Sequence, residues 1–259
     1  MVLLEARNLT KVYGRGPKAV VADQDISFAL PRGSSLGILG RSGCGKSTLA
    51  RLLMGIEPAT AGTVLWQGEP VHWQDGAARK AYYRKVQLVF QDALASFHPL
   101  YTVGMSLRTA LRNYGASREE AERRAVEAFA AVGLPPSLLD KRPAELSGGE
   151  GQRAGIARAM SLEPDVILCD EISSALDALS QKQVEMALQS LRARGTALLL
   201  ISHDISFLGR LCDELLVLQQ GRVVERGPAA QILQHPQAAE TRFLLEQAFL
   251  LSLENRVDS

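Results

Sequence analysis

The sequence predicts an α/β fold: a parallel sheet covered on both faces, an antiparallel layer before it, and a helical segment inserted midway. Three observations carry this. An apolar run, Ser35-Leu36-Gly37-Ile38-Leu39, enters a glycine-rich loop and then a helical pattern, Thr48 to Met54. Short apolar runs alternate with helical stretches after Leu162. From about Leu94 to Leu162 the apolar spacing is mostly helical.

Residues 1–30 alternate apolar and polar (Leu4, Ala6; Ile26, Phe28, Leu30), the period of strands with one buried face. Gly62 to Val71 continues that layer, with Gly68 in a turn. Val86-Gln87-Leu88-Val89-Phe90 is a strand ending at Gln91. Ser117-Arg118-Glu119-Glu120 has the form of a capping box at a helix start, and Pro135-Pro136 ends the helical spacing beyond it. A helix is expected over Gln152–Met160. Then come a strand at Val166–Cys169, a helix over Gln183–Arg192 and a strand at Ala197–Ile201. Leu215–Leu218 with Gly221–Glu225 reads as a final hairpin, and the tail from Ala229 is helical. Short, uniformly apolar runs suit a parallel sheet buried on both faces.

Bulk properties narrow the function. The 259 residues suffice for a sizeable core, and a net charge of +1 gives no polyanion-binding surface. Cys44, Cys169 and Cys212 are far apart, which is a reduced pattern rather than a disulfide framework. The N-terminus lacks the look of a signal peptide, and no apolar run approaches the roughly 20 residues of a membrane helix. A role at a membrane would therefore run through a partner.

Gly40-Arg41-Ser42-Gly43-Cys44-Gly45-Lys46-Ser47 fits G-x-x-x-x-G-K-[ST], between strand and helix as that motif requires. Its glycines let successive N–H groups turn inward on one anion, and the helix start adds free donors and partial positive charge. Lys46 would neutralise β- and γ-phosphates, and the Ser47 hydroxyl would ligate Mg²⁺. Val166-Ile167-Leu168-Cys169-Asp170-Glu171 is an apolar strand ending in two acids. Asp170 would hold Mg²⁺, and Glu171 would accept a hydrogen bond from an attacking water. Leu146-Ser147-Gly148-Gly149-Glu150-Gly151-Gln152 opens a second helix with anion-ready geometry. Two such helix starts in one chain fit a second nucleotide, or two half-sites that meet on dimerisation.

In this order the motifs resemble the ATP-binding subunit of an ABC transporter over residues 1–228. Leu146 to Gln152 resembles that family's LSGGQ signature, and Gln91 its Q-loop glutamine. Ser174-Ala175-Leu176-Asp177 resembles the D-loop, and Ile201-Ser202-His203-Asp204 the switch region. The resemblance implies a P-loop NTPase (RecA-like) core with an antiparallel β layer and an inserted helical subdomain at about 93–162, with a C-terminal helical tail, 229–259. It implies ATP and Mg²⁺ as cofactors, Tyr13 stacked on adenine, and nucleotide contacts from Gly40 to Thr48. Ser147, Gly148 and Gly149 would cover the nucleotide of a second subunit. Glu171, His203 and Gln91 would serve hydrolysis, with Gln91 also near the metal beside Ser47 and Asp170.

Phe90-Gln91-Asp92, Ser96-Phe97-His98-Pro99 and Thr102-Val103-Gly104 are similar to the FQDP–SLNP–TVG stretch of peptide and nickel import ATPases. Leu39–Leu53 and Leu139-Asp140-Lys141-Arg142-Pro143 look especially like the second ATPase subunit of nickel importers. This closer resemblance implies an ATPase at the cytoplasmic face of the inner membrane, energising uptake of nickel, a metal chelate or peptide. Its partners would be a sister ATPase (or a second copy), two permease subunits and an extracytoplasmic solute-binding protein. A soluble ABC ATPase of DNA repair or translation is the alternative. Such chains carry long coiled coils, a DNA-binding domain or a tandem second cassette, and this one shows none and no nucleic-acid-binding stripe. Departures from the family pattern are Glu150 for glutamine, Ile172 and Ser173 after the catalytic acid, and Ala93 and His98 in the Q-loop stretch. An acid at 150 beside a triphosphate is unfavourable unless its side chain turns away.

Overall fold

The computed structural model describes residues 1–173 and 176–257. Along the chain run β1 (Val2–Tyr13), β2 (Val20–Pro31), β3 (Ser35–Leu39), α1 (Lys46–Leu53), β4 (Ala61–Trp66), β5 (Glu69–Pro70), α2 (Gly76–Lys85) and β6 (Val86–Val89). Then come α3 (Val103–Asn113), α4 (Arg118–Ala131), α5 (Gly148–Ser161), β7 (Val166–Asp170), α6 (Ala178–Ala193), β8 (Ala197–Ser202) and α7 (Ile205–Leu211). The chain ends with β9 (Glu214–Gln219), β10 (Arg222–Pro228), α8 (Ala229–Gln234) and α9 (Ala239–Val257).

The strands form two sheets. An antiparallel sheet has the order β2-β1-β4-β5; the larger has the order β10-β9-β3-β8-β7-β6, parallel except for β10. Uniform apolarity in the central strands has a plain cause: each face of the large sheet meets a different core. Leu198 and Leu200 of β8 join the core shared with the inserted helices, while Leu199 and Ile201 join the core under the antiparallel layer. β7 divides the same way, with Ile167 and Cys169 on one side and Val166 and Leu168 on the other. The sheet thus brings the C-terminal ends of β3, β7 and β8 side by side, where ligands of such sheets bind.

Helix starts differ from the expected ones in instructive ways. α5 begins at Gly148 rather than Gln152, because Ser147 and Glu150 form a reciprocal capping box. At Ser117 only half a box forms: the hydroxyl accepts from Glu120 N, but the Glu120 carboxylate turns to Arg124. α6 begins at Ala178, ahead of Gln183, because Asp177 caps it by accepting from Ser180 N at 2.8 Å. Of the four residues similar to a D-loop, Ser174 and Ala175 lie outside the described residues.

The tail is docked rather than loose at its start. Glu225 of β10 accepts from the backbone N–H of Gln237 and Ala238 and from the Thr241 hydroxyl. Gln219 donates to Glu240, and the Arg41 guanidinium lies 4.7 Å over the Phe243 ring. α9 therefore braces the outer side of the loop after β3.

Candidate active site

The loop between β3 and α1 is closed by backbone constraints. Gly45, the residue before α1, has φ 114°, and among the described residues no side chain caps the helix. A Cβ on Gly40 would collide with Leu218 O and Cys44 Sγ. Lys46 is buried, and its Nζ donates to Gly40 O at 2.6 Å and Arg41 O at 3.1 Å while lying 3.4 Å from Glu171 Oε1. The amine is thus held at the mouth of a ring of uncapped N–H donors. Ser47 Oγ donates to Asp170 Oδ1 at 3.2 Å. Burial pushes the Asp170 carboxyl above its ordinary range, and the Ser47 hydroxyl counters part of that. Two hard oxygen donors on neighbouring strand and helix ends fit a Mg²⁺ that takes its remaining ligands from water and phosphate.

Glu171 comes directly after β7 in a left-handed conformation, φ 52°. That backbone is uncommon for a glutamate and concentrates at functional sites. Its N–H donates to Ile201 O at 2.9 Å, so the turn is fixed by β8. Its Oε2 lies 2.7 Å from His203 Nδ1 and 3.4 Å from the His203 backbone N. The histidine ring is 60% exposed while the glutamate is nearly buried, so the pair spans the edge of the cleft. Tyr13, Val20, Ala22, Gln91, Lys46, Ser47, Thr48, Glu171 and His203 line one continuous cleft with Ser42, Gly43 and Gly45. Residues far apart in sequence thus meet at one cleft, Tyr13, Gln91, Glu171 and His203 together with the loop. Asp170 and Gln91 also face an adjoining pocket with Arg51 and Ser96.

Ser147, Gly148 and Gly149 are not part of that cleft. Ser147 and Gly148 are exposed at the start of α5. The Glu150 carboxylate turns back onto this start, accepting from Ser147 N at 2.8 Å and from Ser147 Oγ at 2.9 Å. The Ser147 backbone and hydroxyl hold the Glu150 carboxyl below its usual range. The acid therefore points at its own helix cap.

One connection has no counterpart among the sequence motifs. Arg158 of α5 donates to Ser96 O and Ser96 Oγ, both at 2.7 Å, with its guanidinium 4.4 Å over the Phe97 ring. Gln152 Nε2 donates to Phe90 O at 3.3 Å. The signature helix is thereby bonded to both sides of the Gln91 segment. Its one signal in the sequence is an arginine on a helix whose neighbours are alanine, isoleucine and methionine.

Comparison with known proteins places the chain in a family. The family model described as "ABC transporter" matches residues 24–174. The chain is 42% identical over 235 residues to the nickel import ATP-binding protein NikE of Escherichia coli O6:K15:H31, covering 87% of each chain. It is 38% identical over 247 residues to the oligopeptide transport ATP-binding protein OppF of Escherichia coli K12, covering 94% of this chain and 74% of that one. Among solved structures, the dimeric post-hydrolysis state of the ATP-binding cassette MJ0796 bound to ADP and Pi superposes with a TM-score of 0.81 at 27% identity. It covers 88% of this chain and 99% of that one. CbiO1 of Clostridium perfringens, part of the transporter complex cbiONQ, gives 0.78 at 26%, covering 90% and 91%. With the phosphate loop, the acid pair and the signature helix arranged as they are, the chain belongs to the ABC transporter family as one of its ATP-hydrolysing cassettes, in the group of the nickel and oligopeptide import ATPases.

Proposed function

We propose that this cassette energises uptake of nickel, a metal chelate or a peptide, working head to tail with a sister ATPase beneath two permease subunits. A solute-binding protein outside the membrane would deliver the cargo. The observation that carries the reading is the separation of the two anion-ready helix starts. The signature residues Ser147, Gly148 and Gly149 do not line the chain's own cleft, so each needs a second chain to face a nucleotide. ATP bound at Gly40–Thr48 would then be part of an interface, and closure would follow binding.

In this arrangement Tyr13 stacks on the adenine, the loop amides and Lys46 hold the phosphates, and Glu171 accepts a hydrogen bond from the attacking water. His203 orients Glu171 through Nδ1 and adds a contact to the terminal phosphate. As water attacks in line, the bond from the γ-phosphorus to the β–γ bridging oxygen breaks, and Lys46 helps neutralise the ADP that leaves. Mg²⁺ held by Ser47 and Asp170, with Gln91 nearby, would supply electrostatic stabilisation of the phosphates. Gln91 passes the state of the cleft to Ser96 and Phe97, and Arg158 carries it to the signature helix. The early part of the insertion, Phe97 to Tyr114, would receive a cytoplasmic helix of a permease. Residues 1–228 act as the ATPase domain and 229–259 as an accessory tail. No helix among the described residues is long and apolar enough to cross a membrane. The proposed seat is therefore the inner-membrane face of the cytoplasm, held through the permeases.

Nickel would be cargo, handled by the other subunits. The relatives named for nickel and for oligopeptide import leave the solute to experiment. The test is reconstitution: permeases that co-purify with the chain are placed in vesicles, and ATPase rate is measured with a solute-binding protein loaded with nickel, a nickel chelate or peptide. A rise of several-fold with one cargo is expected. An ATPase rate indifferent to both permease and binding protein would favour the soluble alternative.

A further inference from the structure

We propose that Asp23 is a positioning residue of the nucleotide site: its carboxyl is neutral when the phosphate loop grips nucleotide, and its ionisation loosens that grip. Ile26, Phe28 and Leu30 of β2 point into the core, so strict alternation along the strand would turn Asp23 outward. Asp25 breaks the alternation with a left-handed φ of 57°, and the pairing with β1 slips between Leu9↔Ile26 and Lys11↔Asp23. Asp23 therefore turns inward and is 0% exposed.

Inward, it meets the loop. A Cβ on Gly45 would run into Asp23 Oδ1 and Ala22 O, so only glycine leaves room for the carboxyl under the first turn of α1. The β9–β10 turn closes the other side: Gly221 N donates to Cys44 O, and Gly221 O accepts from Gln24 N. Among the described residues, neither Asp23 oxygen has a hydrogen-bond partner. The groups that could compensate a charge are turned elsewhere. From the loop come the Cys44 thiol, which burial also keeps neutral, and Lys46, occupied by Gly40, Arg41 and Glu171. From β1 comes Lys11, whose amine sits on Pro58 O and Glu57. The β9–β10 turn offers Gln220 and Gly221, which carry no charge.

Burial without a partner pushes the Asp23 carboxyl up to about 7. A carboxylate at this spot repels the diphosphate that the loop is built to hold. Bound nucleotide must in turn favour the protonated acid, so binding and proton uptake are linked. This role rests on nucleotide occupying Gly40–Thr48, as proposed above, and is independent of the cargo.

The test is Mg-ADP binding by calorimetry from about pH 6.5 to about pH 8.5, for wild type and Asp23→Asn. ADP lacks the terminal phosphate, so His203 and hydrolysis do not enter. Each linked proton can change Kd by at most about tenfold per pH unit. The wild-type Kd is expected to rise at least about threefold more across this range than that of Asp23→Asn. Parallel profiles would overturn the proposal. A measurement on wild type alone stands if the variant does not fold: near neutral pH, two buffers of different ionisation enthalpy should report fractional proton uptake on binding. No uptake would equally overturn it. Failure of wild type to bind ADP at any pH would instead overturn the phosphate-loop assignment, and this proposal with it.

Discussion

The two glycine-rich helix starts of this molecule are built in opposite ways. At α1 the residue before the helix is Gly45, no side chain among the described residues caps it, and a lysine amine waits on the carbonyls of its own loop. At α5 the start is already closed by a reciprocal pair, Ser147 and Glu150. The first leaves donors open around a buried cation and so is primed for a multiply charged anion. The second commits its hydroxyl and one N–H to an internal carboxylate, so it can only complete a site whose main charges come from elsewhere. The same local chemistry, small residues ahead of a helix, thus yields one start suited to gripping phosphate and one suited to the covering role proposed for it.

That contrast can be broken experimentally. Glu171→Gln removes the carboxylate charge and basicity beside the gripping half while keeping the side chain's shape. Hydrolysis should fall by about 10²–10⁴-fold, the usual worth of a positioned base, while ATP affinity holds and a closed dimer accumulates. A single-turnover assay with sedimentation in Mg-ATP, alone and with the sister chain, checks both. A monomer in every mixture would remove the covering role of α5.

Lys46→Ala attacks the grip itself. Truncating one member of a buried charge contact costs about 2–5 kcal/mol, so nucleotide affinity should drop roughly 30-fold to several-thousand-fold. Equilibrium binding of a fluorescent ATP analogue measures it. An unchanged Kd would mean the loop is not the phosphate site.

Asp23 sharpens the comparison from below. Its carboxyl is raised from 3.8 to about 7 in the folded chain, so the folded state holds a proton that the unfolded state has lost. Stability attributable to Asp23 is therefore fully present below about pH 4 and is lost as pH rises through about 7. Across that window wild type should lose up to about 4 kcal/mol relative to Asp23→Asn. Urea unfolding at several pH values would show it as converging or crossing midpoints, and pH-independent spacing would argue against a buried proton.

The smallest effects test the covering half. Glu150→Ala opens the box and should cost about 1 kcal/mol, a Tm loss of roughly 2–4 °C. Glu150→Gln keeps an acceptor for Ser147 but removes the charge, so Tm should hold while ATP-driven dimerisation strengthens by at most a few-fold. Calorimetry and sedimentation separate the two.

Much of this architecture is legible in the sequence. The order of the core strands' motifs, the antiparallel layer, the phosphate loop and the acid pair can be read because each rests on a local pattern: an apolar run, a glycine spacing, an acid at a strand end. The roles of Tyr13, Gln91 and His203 come from the family resemblance instead. The rest depends on tertiary context. α2 has little sequence signal because Gly76-Ala77-Ala78-Arg79-Lys80-Ala81-Tyr82-Tyr83-Arg84-Lys85 buries only Tyr82; its one mark is Asp75, which accepts from Ala77 N and Ala78 N. α7 is short, and its cap, Asp204, is masked by its place in the switch motif. The early start of α5 is written in Ser147 and Glu150, yet the two glycines between them argue against a helix by propensity. Burial of Asp23 and the left-handed turn at Glu171 have no sequence pattern. Both come from neighbours, Gly45 and Gly221 over one and β8 beside the other.

The bracing of Arg41 by Phe243 has a practical corollary. A dye attached near Phe243 would not be a remote label. Its emission is expected to change if nucleotide moves the Arg41 segment, and a titration with Mg-ADP would show it. By the same token, nucleotide affinity measured with and without a fusion behind the last helix would show whether this contact reaches the loop.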